Sequence, residues 1–462
     1  MNDKPLAAAR ALLVLAALAA PSGARAGDPP SGGAAPTLTL AGAMQRAREK
    51  AREVVAAEAR RQAAEARADQ ARALRLPSLN LTELWMRTNN PAEVFALRLN
   101  QGTFSFPEFV ASDPNDAAPL DTGITRAEVV LPLFTGGELS GRIDQAKLAA
   151  ASASGTSAWV ADNAALAAAE AYVMLAQAEE YAALLGKSRD TVAAHVGLAR
   201  DYVTQGMLVR SDLLRAEVEL ARMDDLVTEA EGRVRVADAS LAFRMGADVG
   251  SSWTLAPLPV PRPVEEPVDG WLGTAAGRAD LGSARSLLAA GELEEKVRKA
   301  PLWPKIALVA RGELYGDKPF GSTGTSGSIM AVATWNVFQG GADRAAAAAA
   351  REETRAGRED VARFAEGVRL EVRQAWEEAR TAETRHDTAT KALAAAREAE
   401  RITEERFRAG IVKTLDLLDV TTARREAETR ELVARAEAHA AALRLAVKAG
   451  RRPETALNGD TQ

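Results

Sequence analysis

From Glu138 to Gln205 the chain carries no proline and only scattered glycines. Read as one helix, this stretch extends about 100 Å at 1.5 Å per residue. A second stretch of the same length runs from Ala342 to Ala409. Helices this long cannot wrap one compact core and must line up beside other helices. Composition agrees: 47% of the residues are hydrophobic, much of that alanine, aromatics are 5% and charged residues 26%. Alanine, leucine, glutamate and arginine at this density favour long helices over a thick globular core. The net charge of -5, with no basic arm or stacking platform, gives no reason to expect a nucleic-acid partner.

The two stretches belong to an internal duplication. Gly136-Gly137 recurs at Gly340-Gly341, Gly206 at Gly410 and Gly246 at Gly450, each 204 residues on. Asp212 and Asp416 fall in the same register. Upstream, "LRLPSLNL" (Leu74 to Leu81) matches "PLWPKIAL" (Pro301 to Leu308) at a separation of 227, so the first copy carries a 23-residue insertion. That insertion lies in "TNNPAEVFALRLNQGTFSFPEFVASDPNDAAPL", whose turn-forming residues read as a long loop. Each copy reads helix, strand, loop, strand, Gly-Gly, very long helix, glycine turn, shorter helix. The repeats are expected over 37–250 and 271–450, joined by a proline-rich extended linker at 251–270.

The first residues read as an export signal. Lys4 and Arg10 precede or flank the apolar run Ala11 to Ala20, too short to span a bilayer, and Ala24-Arg25-Ala26 fits a small-x-small cleavage site. This predicts a signal peptide over 1–26, a flexible segment over 27–36 and a polar tail over 451–462. With no cysteine there is neither a disulfide framework nor a lipid-bearing N-terminal cysteine. No later run of apolar residues is long enough for a spanning helix, so any membrane crossing must be made with strands.

Four such strands are legible, at about 76–88, 123–134, 304–316 and 327–338. In "PKIALVARGELYGD", Ile306, Leu308, Ala310 and Leu314 alternate with Ala307, Val309, Arg311, Glu313 and Tyr315; Arg126 and Glu128 alternate likewise with Ala127, Val129, Leu131 and Leu133. The pattern suits a barrel strand with lipid outside and water inside, and equally a half-buried strand of a soluble sheet. The count separates the two. Four strands close no barrel, open edges are not tolerated in lipid, and the neighbouring helices are far too long to cover a soluble sheet. The consistent architecture is an α+β membrane protein in which several chains each give four strands to one shared barrel; three chains would supply twelve, leaving interior room for water.

The duplicated "PLFTGG" and "NVFQGG" junctions and the segment "RFRAGIVKTLDLLDVTTARREAE" (Arg406 to Glu428) resemble those of the TolC-like outer-membrane efflux channels, over about 37–450. The resemblance implies a homotrimer in the outer membrane of a Gram-negative cell: a twelve-stranded barrel continued by a helical tunnel across the periplasm. It further implies a passive exit duct of a tripartite efflux pump or type I secretion system, working with a periplasmic adaptor protein and an inner-membrane transporter, without catalysis, cofactor or metal. The alternatives are a periplasmic adaptor, which would show one hairpin flanked by compact β-domains, and a structural coiled coil, whose heptads would continue through Pro77 and Pro304.

The resemblance places Asp416 and Asp419 at the narrow periplasmic entrance, with Asp212 as a counterpart in the first copy; position 215 is Arg215, so the two tips are unequal. Under threefold symmetry these would form rings of carboxylates that favour cations. The same residues also suit a plain first helical turn, with Thr414 as cap. Where the family often carries a basic residue that ties down the closed state, this chain has Val412, with Lys413 beside it. Gly206 and Gly410 read as turns between helices; Met207, Leu208, Ile411 and Val412 after them are the expected adaptor-docking tips. Phe134, Gly136, Gly137, Phe338, Gly340 and Gly341 form the strand–helix junctions, where the chain leaves the membrane and an aromatic suits the interfacial belt. Arg126, Glu128, Arg311 and Glu313 are expected as solvated lumenal charges, and His195, His386 and His439 as surface residues.

Overall fold

The computed structural model describes residues 37–453 except 114, 208, 262 and 410. The expected signal peptide, most of the polar tail, Leu208 and Gly410 therefore lie outside the described residues. In chain order the elements are β1 (Thr37–Leu38), α1 (Leu40–Lys50), α2 (Arg52–Ala73), β2 (Ser78–Thr88), α3 (Pro91–Asn100), α4 (Phe106–Ala111), β3 (Leu120–Phe134), α5 (Glu138–Thr204) and α6 (Arg210–Arg244). The second half follows with β4 (Thr254–Leu255), α7 (Val268–Ala275), α8 (Ala279–Glu292), α9 (Glu294–Lys299), β5 (Lys305–Gly316), β6 (Gly324–Thr334), α10 (Ala342–Arg408) and α11 (Thr414–Lys448).

The duplication is visible in the element lengths. α5 and α10 each have 67 residues, and α6 and α11 each have 35. Neither shorter helix can accompany its long partner to the sheet. Gly246 follows the C-cap of α6, and a Cβ there would lie 2.1 Å from the Lys50 carbonyl, so the end of α6 abuts the start of α2 and α2 continues the line towards the sheet. The backbone breaks between α1 and α2 at Ala51 (φ -56°, ψ 136°) and in the second copy at Arg278 (φ -55°, ψ 138°).

Beside this break the helices build their core. Ala43, Met44, Ala47, Ala165, Tyr172, Leu241 and Leu443 are buried together. Alanine predominates because closely spaced helices leave room for little else. The two-stranded β1–β4 pair closes this region, and Tyr172, fully buried, reaches the carbonyls of Ala256 at 2.6 Å and Leu38 at 3.0 Å. Burial pushes the Tyr172 hydroxyl up to about 12. Between β4 and α7 the chain is pinned down: Arg451 holds the Glu266 carboxylate through two bonds at 2.6 and 2.7 Å, and Trp376 Nε1 donates to the Glu266 carbonyl at 3.1 Å.

The four long strands form one antiparallel sheet in the order β2-β3-β5-β6, leaving β2 and β6 as open edges. One face carries Leu79, Leu81, Leu308 and Ile329, all exposed in the single chain; the other carries Arg126, Glu128, Arg311 and Glu313. Among the described residues no helix is long and apolar enough to cross a membrane.

Two expectations are corrected. The insertion is not a plain loop but contains α3 and α4. Its Asn-Pro signal starts a helix rather than only a turn: the Asn90 side chain accepts from the Ala92 N–H at 3.1 Å, and Pro91 takes the first helical position. Nor is His439 a surface residue. His439 is only 4% exposed, and His195 and His386 are partly buried, because alanine-rich helices packed on several sides bury even their polar positions.

Candidate functional site

Three regions along the chain would shape a conduit: the sheet's charged face, the strand–helix junctions and the helix tips. On the sheet, β3 and β5 pair so that Arg126 lies opposite Glu313 and Glu128 opposite Arg311. Arg126 Nε donates to Glu313 at 2.6 Å, and Arg311 Nη2 to Glu128 at 2.7 Å. The expected solvated charges are therefore a cross-strand ladder that neutralises itself. Its two cations and two anions sum to zero, so the wall is polar with no net charge from these four residues.

The insertion lies over this same face at the end remote from the helices. Leu97 of α3 packs against Ile124 and Tyr315. The Gln101 side chain, 3% exposed, donates to Thr122 Oγ1 at 3.0 Å and to the Gly316 carbonyl at 3.1 Å. The chain passes so close that a Cβ on Gly324 would fall 1.7 Å from the Asn100 carbonyl oxygen. Phe95, Phe104 and Phe109 cluster above, with ring centroids 5.2 to 5.7 Å apart. On the apolar face the β5–β6 turn folds down instead, and Glu83 accepts from Thr125 Oγ1 at 2.5 Å and from the Phe320 N–H at 3.0 Å. That carboxylate bounds the apolar band on its outer side.

At the other end of the sheet both Gly-Gly junctions adopt left-handed backbone. Gly136 has φ 64° and Gly137 φ 90°; Gly340 has φ 62° and Gly341 φ 87°. Each second glycine is the N-cap of a 67-residue helix. Two successive positive φ values turn an extended strand into a helix within two residues, which side chains with a Cβ resist. Phe134 and Phe338 are 43% and 82% exposed, and Trp303 and Trp335 stand exposed beside them, an aromatic border to the apolar band.

At the tips, Gly206 takes φ 73° and ends the first long helix. Met207 is 61% and Ile411 72% exposed, while Val412 is half-buried. The N-cap position of α11 falls on Lys413 rather than on Thr414, which opens the helix. Asp416, at the third helical position, accepts from the Lys413 backbone N–H at 3.0 Å. It therefore performs the capping function, and its carboxylate is exposed as well. Asp419, one turn on, is also exposed, whereas Leu417 between them is buried. Asp212 sits half-buried in the first turn of α6.

Sequence reading missed the residue that joins the two hairpins above the tips. Arg425 of α11 is 8% exposed; it meets Glu219 of α6 at 3.4 Å and Met223 Sδ at 2.9 Å. It stands in the charged run Arg424-Arg425-Glu426, which carries no local signal of burial. Only the meeting of α6 and α11 shows otherwise.

A family model described as "Outer membrane efflux protein" matches residues 43–247 and 274–451. No curated protein matches the chain significantly. Among solved structures, CusC, described in a study of folding and transmembrane channel formation, superposes with a TM-score of 0.75 at 14% identity, covering 89% of this chain and 92% of that one. The outer membrane protein VceC of Vibrio cholerae gives 0.72 at 18%, covering 89% and 96%. The CmeC outer membrane channel of Campylobacter jejuni gives 0.75 at 12%, covering 89% and 85%. At these identities the likeness concerns the fold: four strands per chain given to a shared trimeric twelve-stranded barrel, continued by a helical tunnel. The family model spans both repeats, and the sheet, the left-handed junctions and the paired long helices fit one continuous conduit: the chain belongs to the outer membrane efflux protein family, as a passive exit channel of the outer membrane whose helices stand in the periplasm.

Proposed function

We propose that three copies form the exit duct of a tripartite pump or type I secretion system, that an adaptor protein docks on the tips, and that an inner-membrane transporter supplies the cargo. The repeats at 37–250 and 271–450, joined by the linker at 251–270, then give a tunnel of six similar hairpins. The observation that carries this reading is the exposed apolar set at the far end of helices about 100 Å long: Met207, Val209, Ile411 and Leu415 are 61%, 64%, 72% and 53% exposed. Apolar side chains grouped at a helix tip mark a contact surface. Gly206, Leu208, Gly410 and Val412 complete these tips in our reading.

Asp416, Asp419 and Asp212 form the entrance constriction. Supporting this is the exposure of both α11 carboxylates in the first turns of the helix, where a threefold axis would gather six of them. Planar-bilayer conductance of the wild type against Asp416→Ala/Asp419→Ala tests it. We expect higher conductance and weaker cation preference in the variant; identical traces would remove the aspartates from the entrance. For the docking tips, Met207→Asp/Ile411→Asp should abolish export in cells while the trimer persists in detergent.

A further inference from the structure

The internal duplication specifies, residue by residue, how one copy pairs with the next. Two offsets relate the repeats: 227 from α2–β2 to α8–β5, and 204 from β3–α5 to β6–α10. Their validity can be checked within the chain. In the first hairpin Ser78 pairs with Val130 and Thr88 with Leu120. Adding the offsets predicts Lys305 with Thr334 and Tyr315 with Gly324, which are the observed pairs of the second hairpin. The offsets therefore preserve hydrogen-bond register without a slip.

The four-stranded sheet contains one further strand contact, β3 against β5, which joins the first repeat to the second. Its counterpart is absent from a single chain, because β6 and β2 are the two open edges of the sheet. Unpaired edges are not tolerated in lipid, so the occupant of the β6 edge is the β2 edge of a second copy. Applying the offsets to β3–β5, Val130 opposite Val309 becomes Thr334 opposite Thr82, and Glu128 opposite Arg311 becomes Val332 opposite Leu84. Pro132 opposite Ala307 becomes Asn336 opposite Asn80, and the irregular Phe134–Ile306 pair becomes Phe338 beside Leu79.

We infer that β6 of each copy pairs antiparallel with β2 of its neighbour in this register, Thr334 facing Thr82. Two features not used in the derivation agree with it. First, the faces match: Val332 and Thr334 share the Arg311 face, and Thr82 and Leu84 share the Arg126 face. A slip of one residue would put every lipid-facing side chain beside a lumenal one. Second, the pairs suit one another chemically: threonine meets threonine, asparagine meets asparagine, valine meets leucine, and exposed Phe338 (82%) meets exposed Leu79 (68%). The same operation carries the packing of Gly136 on Ala300 and Trp303 into a contact of Gly340 with Ala73 and Leu76 of the neighbour, which explains why nothing lies within 4 Å of a Cβ on Gly340 in the single chain.

The inference rests on the channel reading, and cysteine cross-linking tests it in a chain that has no cysteine of its own. Directly opposed strand residues lie within disulfide reach, whereas diagonal ones lie beyond it. Chains carrying Thr82→Cys and chains carrying Thr334→Cys are co-expressed, purified in detergent and oxidised. We expect a covalent dimer, formed at least tenfold faster than when Asn336→Cys or Met330→Cys replaces Thr334→Cys. If a slipped pair links faster, or if none links although light scattering shows a trimer, the register is wrong. If the full-length wild-type protein is a monomer that does not fractionate with membranes, the channel reading itself fails and the seam falls with it.

Discussion

The burial of His439 predicts a pH dependence whose size can be worked out. Its ring is 4% exposed on α11, Nε2 has no hydrogen-bond partner among the described residues, and the ring bonds the carbonyl of Pro259 in the linker. Burial, then the charges of Arg435 and His386, push its pKa down from 6.5 to about 4, against the smaller opposing effect of the Pro259 carbonyl. The folded state thus disfavours the protonated ring, while the unfolded chain takes up a proton near 6.5. Stability is full above pH 6.5 and falls as the pH drops towards 4. Between pH 7 and pH 5 this shift costs about 2 kcal/mol per chain. His386, partly buried, lies 3.3 Å from Glu431, and Arg435 pairs with Glu180 and Glu431, so other ionisable groups surround the ring. The comparison is therefore with His439→Leu, which removes this one group. Urea unfolding followed by circular dichroism at pH 7 and pH 5 should show a wild-type loss larger than the variant's by about 2 kcal/mol per chain. Equal losses would refute the reasoning, because they would mean that His439 reaches water or a partner in the folded protein.

Three further substitutions probe the scaffold. Gly136→Ala should lower stability by about 3 kcal/mol, since a Cβ there adds a 2.4 Å contact with the Ala300 carbonyl to a left-handed φ; Gly137→Ala, whose near neighbour is a flexible lysine end at 3.4 Å, should cost about 1 kcal/mol, and thermal unfolding compares them. Arg425→Ala should cost about 2 kcal/mol, with faster hydrogen exchange in α6 and α11 near Met223, because it removes the bonds from α11 to Glu219 and Met223 of α6. Tyr172→Phe should cost about 1–2 kcal/mol and speed exchange at the Ala256 amide, which is bonded to Leu38 at 2.8 Å beside the carbonyls the hydroxyl ties together.

Much of this architecture was legible in the order of residues. Period-two alternation, an unbroken alanine-rich stretch and paired glycines are local signals, because strand, helix and left-handed turn each depend on a few neighbouring residues. The duplication extended their reach, since agreement between two copies fixes offsets that no single motif would. From those signals came the strand pairs, the helix lengths, the junctions and the need for a shared barrel.

The tertiary structure decided what depends on partners far apart in sequence. Asn89-Asn90-Pro91 carries the same turn chemistry whether a loop or a helix follows, and the packing of Leu97 on Ile124 and Tyr315 shows α3 held over the charged face. Arg126 and Glu313 are 187 residues apart, so their neutralising pair could not be read from either strand alone. His439 and Arg425 resemble solvated helix positions until neighbouring helices cover them. Local sequence determines which backbone forms; burial and charge pairing depend on which elements come together, and that is a property of the packed chain.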